Sequence, residues 1–591
     1  MGDYTILRSA PLRRGVVELA KTLAEANTVF IAPTGYGKSK SVPLLLKEAE
    51  KLSIAARVIH VLPLRALVRQ QYLFLREHLG NEAGYLAGMR LDAEGYSPFM
   101  LRKAVVSTLD SFALNLARLP VAELPLVLGS YEMNRFEGHY ELPRAAIFTS
   151  LVVLDEAHLY AEPWSTKEEP LSRWFLATVL PILADTRTPL VIETATMSTR
   201  LIGDIARTAR ARVLAVCQNC GPCSNGWRCI RDPEFEEENS FRWRTERHLL
   251  FLDPARAVKE ATRKAIEVAE TGRRVLYSVN TVKSALSVYS VLREKLGDQV
   301  VLIHGRLSQH DREKAIEGIE RARVIVATQV VEAGVDVDAE VLVAEAAAPS
   351  SLAQRVGRLC RSEKTRDKCR SEPPMVAIYR PETTSPYGSI IDSVMELVQS
   401  LVEAGGVEWR LLDDANGYKS FRHLVEKLEN TGLHTTPSRE ALLYKRLLGD
   451  AVASVLGDAS RASLLVKSFC SLVRGTTLTT LAVPLERGYD FIEVPLSWLS
   501  KENRWSKLLD CNDGMCRVAS IAYTRDGSAT AVEEMVNRDR IERMLSSCQN
   551  YVIGYYRLVE ELSRINKGVR LYSLAFVLRS DAYVPGLGLI G

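Results

Sequence analysis

The residues Ala32-Pro33-Thr34-Gly35-Tyr36-Gly37-Lys38-Ser39 stand directly after the apolar run Val29-Phe30-Ile31. A strand that feeds a glycine-bearing turn and then a helix is a phosphate cradle. Gly35 and Gly37 let backbone N–H groups close on phosphate oxygens where a Cβ would clash. Lys38 then reaches the β- and γ-phosphates, Ser39 offers a hydroxyl to Mg²⁺, and Thr34 completes the loop. A second segment, Leu151-Val152-Val153-Leu154, reads as a fully buried strand and runs into Asp155-Glu156-Ala157-His158. Adjacent carboxylates at such a strand end put Asp155 on Mg²⁺ and Glu156 beside the attacking water. Either segment alone also reads as an ordinary glycine turn or acidic loop; together, in this order, they specify binding and hydrolysis of a nucleoside triphosphate.

The second half of the chain carries a basic signature, Gln354-Arg355-Val356-Gly357-Arg358-Leu359-Cys360-Arg361. Positions 354, 358 and 361 are four and three apart, a spacing that predicts one helix face. Guanidinium groups aimed at a γ-phosphate stabilise the charge that develops in phosphoryl transfer. By itself this pattern reads first as a solvated basic helix or a nucleic-acid patch, and it is the first half of the chain that turns the reading to phosphoryl transfer.

Elements must bring these groups together. In the first third, strand-like runs at Val29–Ile31, Val58–Leu62, Ala104–Ser107, Leu151–Leu154 and Leu190–Glu193 alternate with amphipathic stretches. The alternation returns after residue 247, with strands read at Leu249–Leu252, Arg274–Ser278, Val300–Ile303, Val324–Ala327, Val341–Ala344 and Met375–Tyr379. The fold class is therefore α/β: two parallel-sheet domains in series, over residues 1–210 and 248–395, with helices on both faces. Ligand-binding turns then fall at the C-terminal ends of the strands. Residues 211–247 read as a cysteine-rich insertion or linker. Residues 396–591 read as a mixed, largely helical accessory domain, with helical patterns at Ala441–Leu456, Val532–Leu545 and Tyr551–Ser563.

The 591 residues carry 76 Lys and Arg against 72 Asp and Glu, so global charge argues for no nucleic-acid partner and any such surface must be local. The longest apolar stretch, Trp174 to Ala184, is too short to span a bilayer, and no basic-then-apolar leader opens the chain. The expectation is a cytoplasmic protein with no membrane partner. Cys217, Cys220, Cys223 and Cys229 lie within 13 residues. Four thiols so close suggest one metal, either tetrahedral zinc or an iron–sulfur cluster, with free thiols or disulfides as the other readings. Cys511 and Cys516 read as ordinary thiols.

The ordered motifs resemble those of the superfamily 2 helicases with a DEAH-type motif, over about residues 25–365. Beside the phosphate loop and Asp155–His158, Pro63-Leu64-Arg65-Ala66-Leu67 and Ser107-Thr108-Leu109-Asp110 sit where motifs Ia and Ib belong. Thr194-Ala195-Thr196 looks like motif III, Thr328 to Asp336 like motif V, and Gln354–Arg361 like motif VI. The Arg144–Phe148 lead, the Asn280-Thr281-Val282-Lys283 run and His304-Gly305-Arg306 followed by Asp311-Arg312 are similar to the CRISPR-associated helicase of type I interference. That resemblance implies two RecA-like domains, ATP and Mg²⁺ as cofactors, and ATP-driven 3′-to-5′ movement along single-stranded DNA. It implies backbone contacts from Arg65, Thr108 and Thr328, coupling through Thr194 and Thr196, nucleotide contacts from Gly334 and Asp336, and catalysis through Lys38, Asp155, Glu156, Gln354, Arg358 and Arg361. Many relatives carry an N-terminal HD nuclease, and Lys38 comes too early to leave room for one. The expected partners are therefore a separate HD nuclease subunit and an RNA-guided surveillance complex. A repair or RNA helicase, or an ATP-controlled clamp that unwinds nothing, are the competing readings.

Overall fold

The central strand runs are apolar on both faces and are covered on both, as a parallel sheet requires. The computed structural model describes residues 13–87, 94–132, 137–161, 171–217, 226–245, 247–332, 334–409, 421–429, 432–433, 438–453, 459–474, 477–523, 529–565 and 570–589. The first sheet holds β1 (Asn27–Ile31), β2 (Val58–Leu62), β3 (Ala83–Leu86), β4 (Ala104–Thr108), β5 (Leu151–Leu154), β6 (Leu190–Thr194), β7 (Ala211–Val216) and β8 (Arg228–Ile230). Their order is β3-β4-β2-β5-β6-β1-β7-β8, every neighbouring pair parallel. β2, β4, β5 and β6 are buried along their whole lengths. β1 therefore lies beside β6, and their C-terminal ends carry the phosphate loop and Thr194 side by side: Ala32 donates its N–H to the Thr194 carbonyl at 3.1 Å. β7 and β8 flank the cysteine run and extend this same sheet.

After the short β9 (Arg244–Thr245), the second sheet comprises β10 (Arg247–Phe251), β11 (Val275–Ser278), β12 (Val300–Ile303), β13 (Val324–Ala327), β14 (Val341–Glu345) and β15 (Met375–Tyr379). It is wholly parallel in the order β10-β15-β14-β11-β13-β12. Both sheets are RecA-like, as the alternation of elements foretold.

The C-terminal region is mixed. Helices Arg439–Ala453, Ala459–Phe469 and Cys548–Ile565 accompany a six-stranded sheet built from Leu478–Pro484, Tyr489–Pro495, Cys511–Asn512, Met515–Tyr523, Ala529–Asn537 and Arg570–Val577. One helix reading fails here. Residues 529–537 form a strand paired antiparallel with Met515–Tyr523, and only Arg538–Leu545 is helical. Val532 and Val536 are four apart, which suits a helix. They also fit the period of two that the pairing uses, with Glu533 and Met535 pointing to solvent.

This region packs on both RecA-like domains. Trp174 lies 5.7 Å from the Tyr444 ring, and Arg144 Nη1 donates to the Val452 carbonyl at 2.7 Å. On the second domain, Tyr583 Oη donates to Asp311 at 2.6 Å, and the Arg306 guanidinium stacks 4.2 Å from the Trp498 ring centroid.

The cysteines are more cross-linked than expected. Cys360–Cys369, Cys470–Cys548 and Cys511–Cys516 are disulfides. Cys511 and Cys516, expected as ordinary thiols, lie directly opposite each other in an antiparallel ladder, which brings their side chains together. Cys217 and Cys229 are also disulfide-bonded. Cys220 and Cys223 lie outside the described residues, and the four-thiol metal site with them.

Candidate active site

Backbone conformation explains the glycines of the loop. Gly35 and Gly37 adopt φ values of +79° and +98°, a region an L side chain rarely enters. A Cβ on Gly37 would meet no protein atom within 4 Å, so within the protein its requirement is conformational. Lys38 is 5% exposed, and its ammonium donates to the carbonyls of Ala32 (3.2 Å) and Pro33 (3.4 Å). Ser39 donates its hydroxyl to Asp155 Oδ2 at 2.5 Å. The hydroxyl and the carboxylate thus converge on one point, the donor pair a Mg²⁺ ion takes in a nucleotide site. The Thr34 hydroxyl is buried without a hydrogen-bond partner among the described residues, a polar atom facing the loop. These groups fit a Mg²⁺-triphosphate.

The carboxylates are differentiated by their surroundings. Burial pushes the Asp155 carboxyl up. Hydrogen bonds from His60 (3.3 Å) and Ser39 and the charge of Lys38 outweigh it, so the group is held below the usual carboxylate range. Glu156 sits at φ +49° and lacks comparable donors; burial raises it above the usual range, with Lys38, Arg358 and Arg361 pulling the other way. A ligating carboxylate that stays ionised beside one with raised proton affinity is the division a metal ligand and a general base need. Burial, and then Lys38, lowers His158 to about 3, so its imidazole is neutral.

The second domain reaches this site. Gln354 Nε2 lies 3.4 Å from Glu156 Oε2 and 3.5 Å from His158 Nε2. Gly357 packs so closely on Thr34 that a Cβ there would overlap its hydroxyl. The predicted helical face is corrected, however. The helix Pro349–Val356 ends before Arg358, because Gly357 is pressed against the phosphate loop and Cys360 turns left-handed at φ +54°. Arg358 and Arg361 come from that turn. Arg358 donates to the Glu332 carbonyl at 2.6 Å, and burial, then the Arg361 charge, lowers its guanidinium to about 10. Arg361 pairs with Asp336 at 2.7 Å, and Gly334 adopts φ +121° in the same segment. Arg355 is wholly buried and structural: it binds Glu332, the Glu345 carbonyl and Asn280.

The remaining predicted residues lie outside this cluster or beside it. Thr194 is buried at the end of β6, and the Thr196 hydroxyl has no partner among the described residues. Arg65 opens the helix Arg65–Leu79 and is ion-paired with Glu493 of the C-terminal region. Thr108 uses its hydroxyl to cap the helix Leu109–Leu116, accepting from Ser111 N–H, and Thr328 is 4% exposed. A cavity of about 400 Å³ at the meeting of all three regions is lined not by these three but by their chain neighbours Leu64, Leu109 and Gln329, together with Asp110, Tyr387 and Arg474. Sequence reasoning missed His60 and Glu193, which join Asp155 in one buried cluster. Their one signal was a polar residue inside an otherwise apolar strand.

Residues 16–204 match the DEAD/DEAH box helicase family, and residues 271–364 match the C-terminal domain of the CRISPR-associated nuclease/helicase Cas3. The CRISPR-associated helicase Cas3 of Thermoproteus tenax is 25% identical over 376 residues, 60% of this chain and 56% of that protein. A putative CRISPR-associated nuclease/helicase Cas3 of Methanocaldococcus jannaschii is 25% identical over 231 residues, 37% of this chain and 28% of that protein. The chain thus spans about half or less of these curated relatives. Among solved structures, T. fusca Cas3 superposes with a TM-score of 0.52 at 17% identity, covering 81% of this chain and 60% of that one. A CRISPR-associated protein superposes with a TM-score of 0.57 at 14% identity, covering 100% and 70%. These likenesses concern the fold.

Proposed function

We propose that this chain, a superfamily 2 helicase of the Cas3-like kind, hydrolyses ATP between its two RecA-like domains to move along single-stranded DNA in CRISPR interference. One observation carries the ATPase part: Gln354 of the second domain stands 3.4 Å from Glu156 of the first, so the site is complete only when both domains meet. In this reading Lys38 binds the β- and γ-phosphates, Ser39 and Asp155 hold Mg²⁺, and Glu156 takes the proton of the attacking water. Arg358 and Arg361 stabilise the departing charge, and Thr194 and Thr196 relay the state of the site along β6. Mg²⁺, when bound, supplies charge neutralisation on the phosphates. Arg65, Thr108 and Thr328 face the nucleic acid, strand cleavage belongs to a separate HD nuclease subunit, and a surveillance complex delivers the substrate.

ATPase measurements with single-stranded DNA and with RNA test this directly. Single-stranded DNA should stimulate hydrolysis more strongly, and a tailed duplex should be separated in an ATP-dependent way. Stimulation by RNA alone replaces the reading with an RNA helicase, and hydrolysis without strand separation replaces it with a clamp. No helix among the described residues is long and apolar enough to cross a membrane.

One zinc ion or one iron–sulfur cluster on the cysteine run 217–229 requires Cys217 and Cys229 as thiolates, whereas both are disulfide-bonded, so in the same reading the metal belongs to the reduced chain alone. Elemental analysis beside thiol titration separates these from disulfides. About one zinc per chain, or iron with labile sulfide, supports a metal; neither metal nor titratable thiol in unreduced protein removes both.

A further inference from the structure

Tyr36 is the one aromatic side chain inside the phosphate loop, and it is 1% exposed. Its hydroxyl donates to Asp232 Oδ2 at 2.5 Å and accepts the Gly15 N–H at 2.8 Å. Its ring meets Phe30 and Phe235 edge-on, with centroids 6.2 and 4.9 Å away. Asp232 is itself buried, 196 residues distant in the chain. It accepts the Arg14 N–H at 3.1 Å and, through Oδ1, the Phe235 N–H at 3.2 Å, capping the helix Pro233–Trp243. A buried carboxylate is retained where several donors satisfy it. The pocket is built to size: a Cβ on Gly15 would stand 2.7 Å from the tyrosine oxygen and 2.6 Å from Val216. Burial, and then the bond to Asp232, raise the Tyr36 phenol, so it stays a donor across the working pH range.

We propose that Tyr36 and Asp232 are a positioning pair for the triphosphate. Tyr36 is flanked by Gly35 and Gly37, both at positive φ and neither with a side chain to anchor the loop on either side of it. Ser39 is held at the far end of the loop by Asp155 and Gln71, and between the two glycines the tether to the rest of the fold is the tyrosine, set by Asp232. The same capped helix reaches the second domain. Glu238 pairs with Arg13 at 2.6 Å and stands 3.6 Å from Arg366, which follows Arg361 in sequence by five residues. The loop is thereby linked to the second domain by a route outside the cleft.

The inference rests on the ATP reading and deepens it. Releasing the tether lowers the fraction of loops ready to receive phosphate, and apparent affinity falls by that fraction. Tyr36→Phe should raise the apparent Kd for ATP, read with a fluorescent ATP analogue, about tenfold. Asp232→Asn should act in the same direction, and the double variant should be no weaker than the weaker single one, since both remove one interaction. KM should rise while kcat at saturating ATP stays within about twofold, because Lys38 and Glu156 are untouched. Additive losses, unchanged affinity in Tyr36→Phe, or a lower melting temperature with unchanged affinity would each overturn the pair. A wild-type chain that binds no nucleotide overturns instead the ATP reading beneath it.

Discussion

Lys38 shows how the site departs from a loop that merely waits in solvent. It is buried, and its charge acts on Asp155, Glu156 and His158 at once. Lys38→Ala should therefore do two things: abolish hydrolysis, and lower the melting temperature by a few degrees, because two buried carboxyls lose a neighbouring cation. Hydrolysis near the wild-type rate would remove the phosphate-loop assignment, and an unchanged melting curve would contradict the buried role. Glu156→Gln separates binding from chemistry. The amide oxygen can still accept from Gln354, whereas the base is gone, so turnover should fall on the order of 10²–10⁴-fold with nucleotide affinity nearly kept. Single-turnover hydrolysis beside a nucleotide titration measures both.

At the scale of elements, the turn after Val356 and the C-terminal sheet make separate predictions. Both arginines lie within electrostatic reach of Glu156, Arg358 with the larger effect and fixed on the Glu332 carbonyl, whereas Arg361 is drawn to Asp336. Arg358→Ala should cost about 10³-fold in turnover, and Arg361→Ala less; the reverse order would mean that the turn rearranges around nucleotide. Arg65 opens its helix, an anion-seeking position, yet its partner is Glu493. Phosphate and Glu493 compete for one guanidinium, so Glu493→Gln should tighten binding of single-stranded DNA several-fold at low salt, read by anisotropy. Equal affinity in variant and wild type would show that Arg65 makes no backbone contact. The strand ends that carry Lys38, Asp155 and Thr194 were legible in the sequence because buried parallel strands are continuous apolar runs. The helix end at Val356 was not, since it is set by Gly357 meeting Thr34 and by the Cys360–Cys369 link, neither of which local spacing reports. Tyr36 and His60 stayed hidden for the same reason: their partners Asp232 and Asp155 are 196 and 95 residues away.

Across the whole molecule, three histidines tie stability to pH. His158 lies in the active site, His248 on β10, and His304 where the second domain meets the antiparallel pair Tyr583–Val584 and Gly588–Leu589, its Nε2 3.0 Å from the Leu587 carbonyl. Burial, the first cause in each, lowers them to about 3, 4 and 4. In the unfolded chain each returns to about 6.5. The unfolded state therefore binds more protons between these values, and stability falls as pH drops from about 6.5 towards 4. Three such groups give a limiting slope of about 4 kcal/mol per pH unit at 1.36 kcal/mol for each proton. Glu156 and Glu193 act with the opposite sign: burial raises them, so their contribution is present at low pH and lost as pH rises through their folded values. Asp155, held low, and His423, lowered by burial, add to the histidines' sign, and Glu345, raised by burial, to that of the glutamates; the wild-type slope is the balance of all of them, and substitution isolates one group's share. His304→Gln leaves an amide that can donate to Leu587 but takes up no proton. Its melting temperature should match wild type near pH 5.5 to 6 more closely than at pH 7, and should fall less steeply from pH 6 to 4.5, by about one proton's worth. Parallel melting-temperature curves for the two proteins over that interval would show that His304 is not held neutral by the fold.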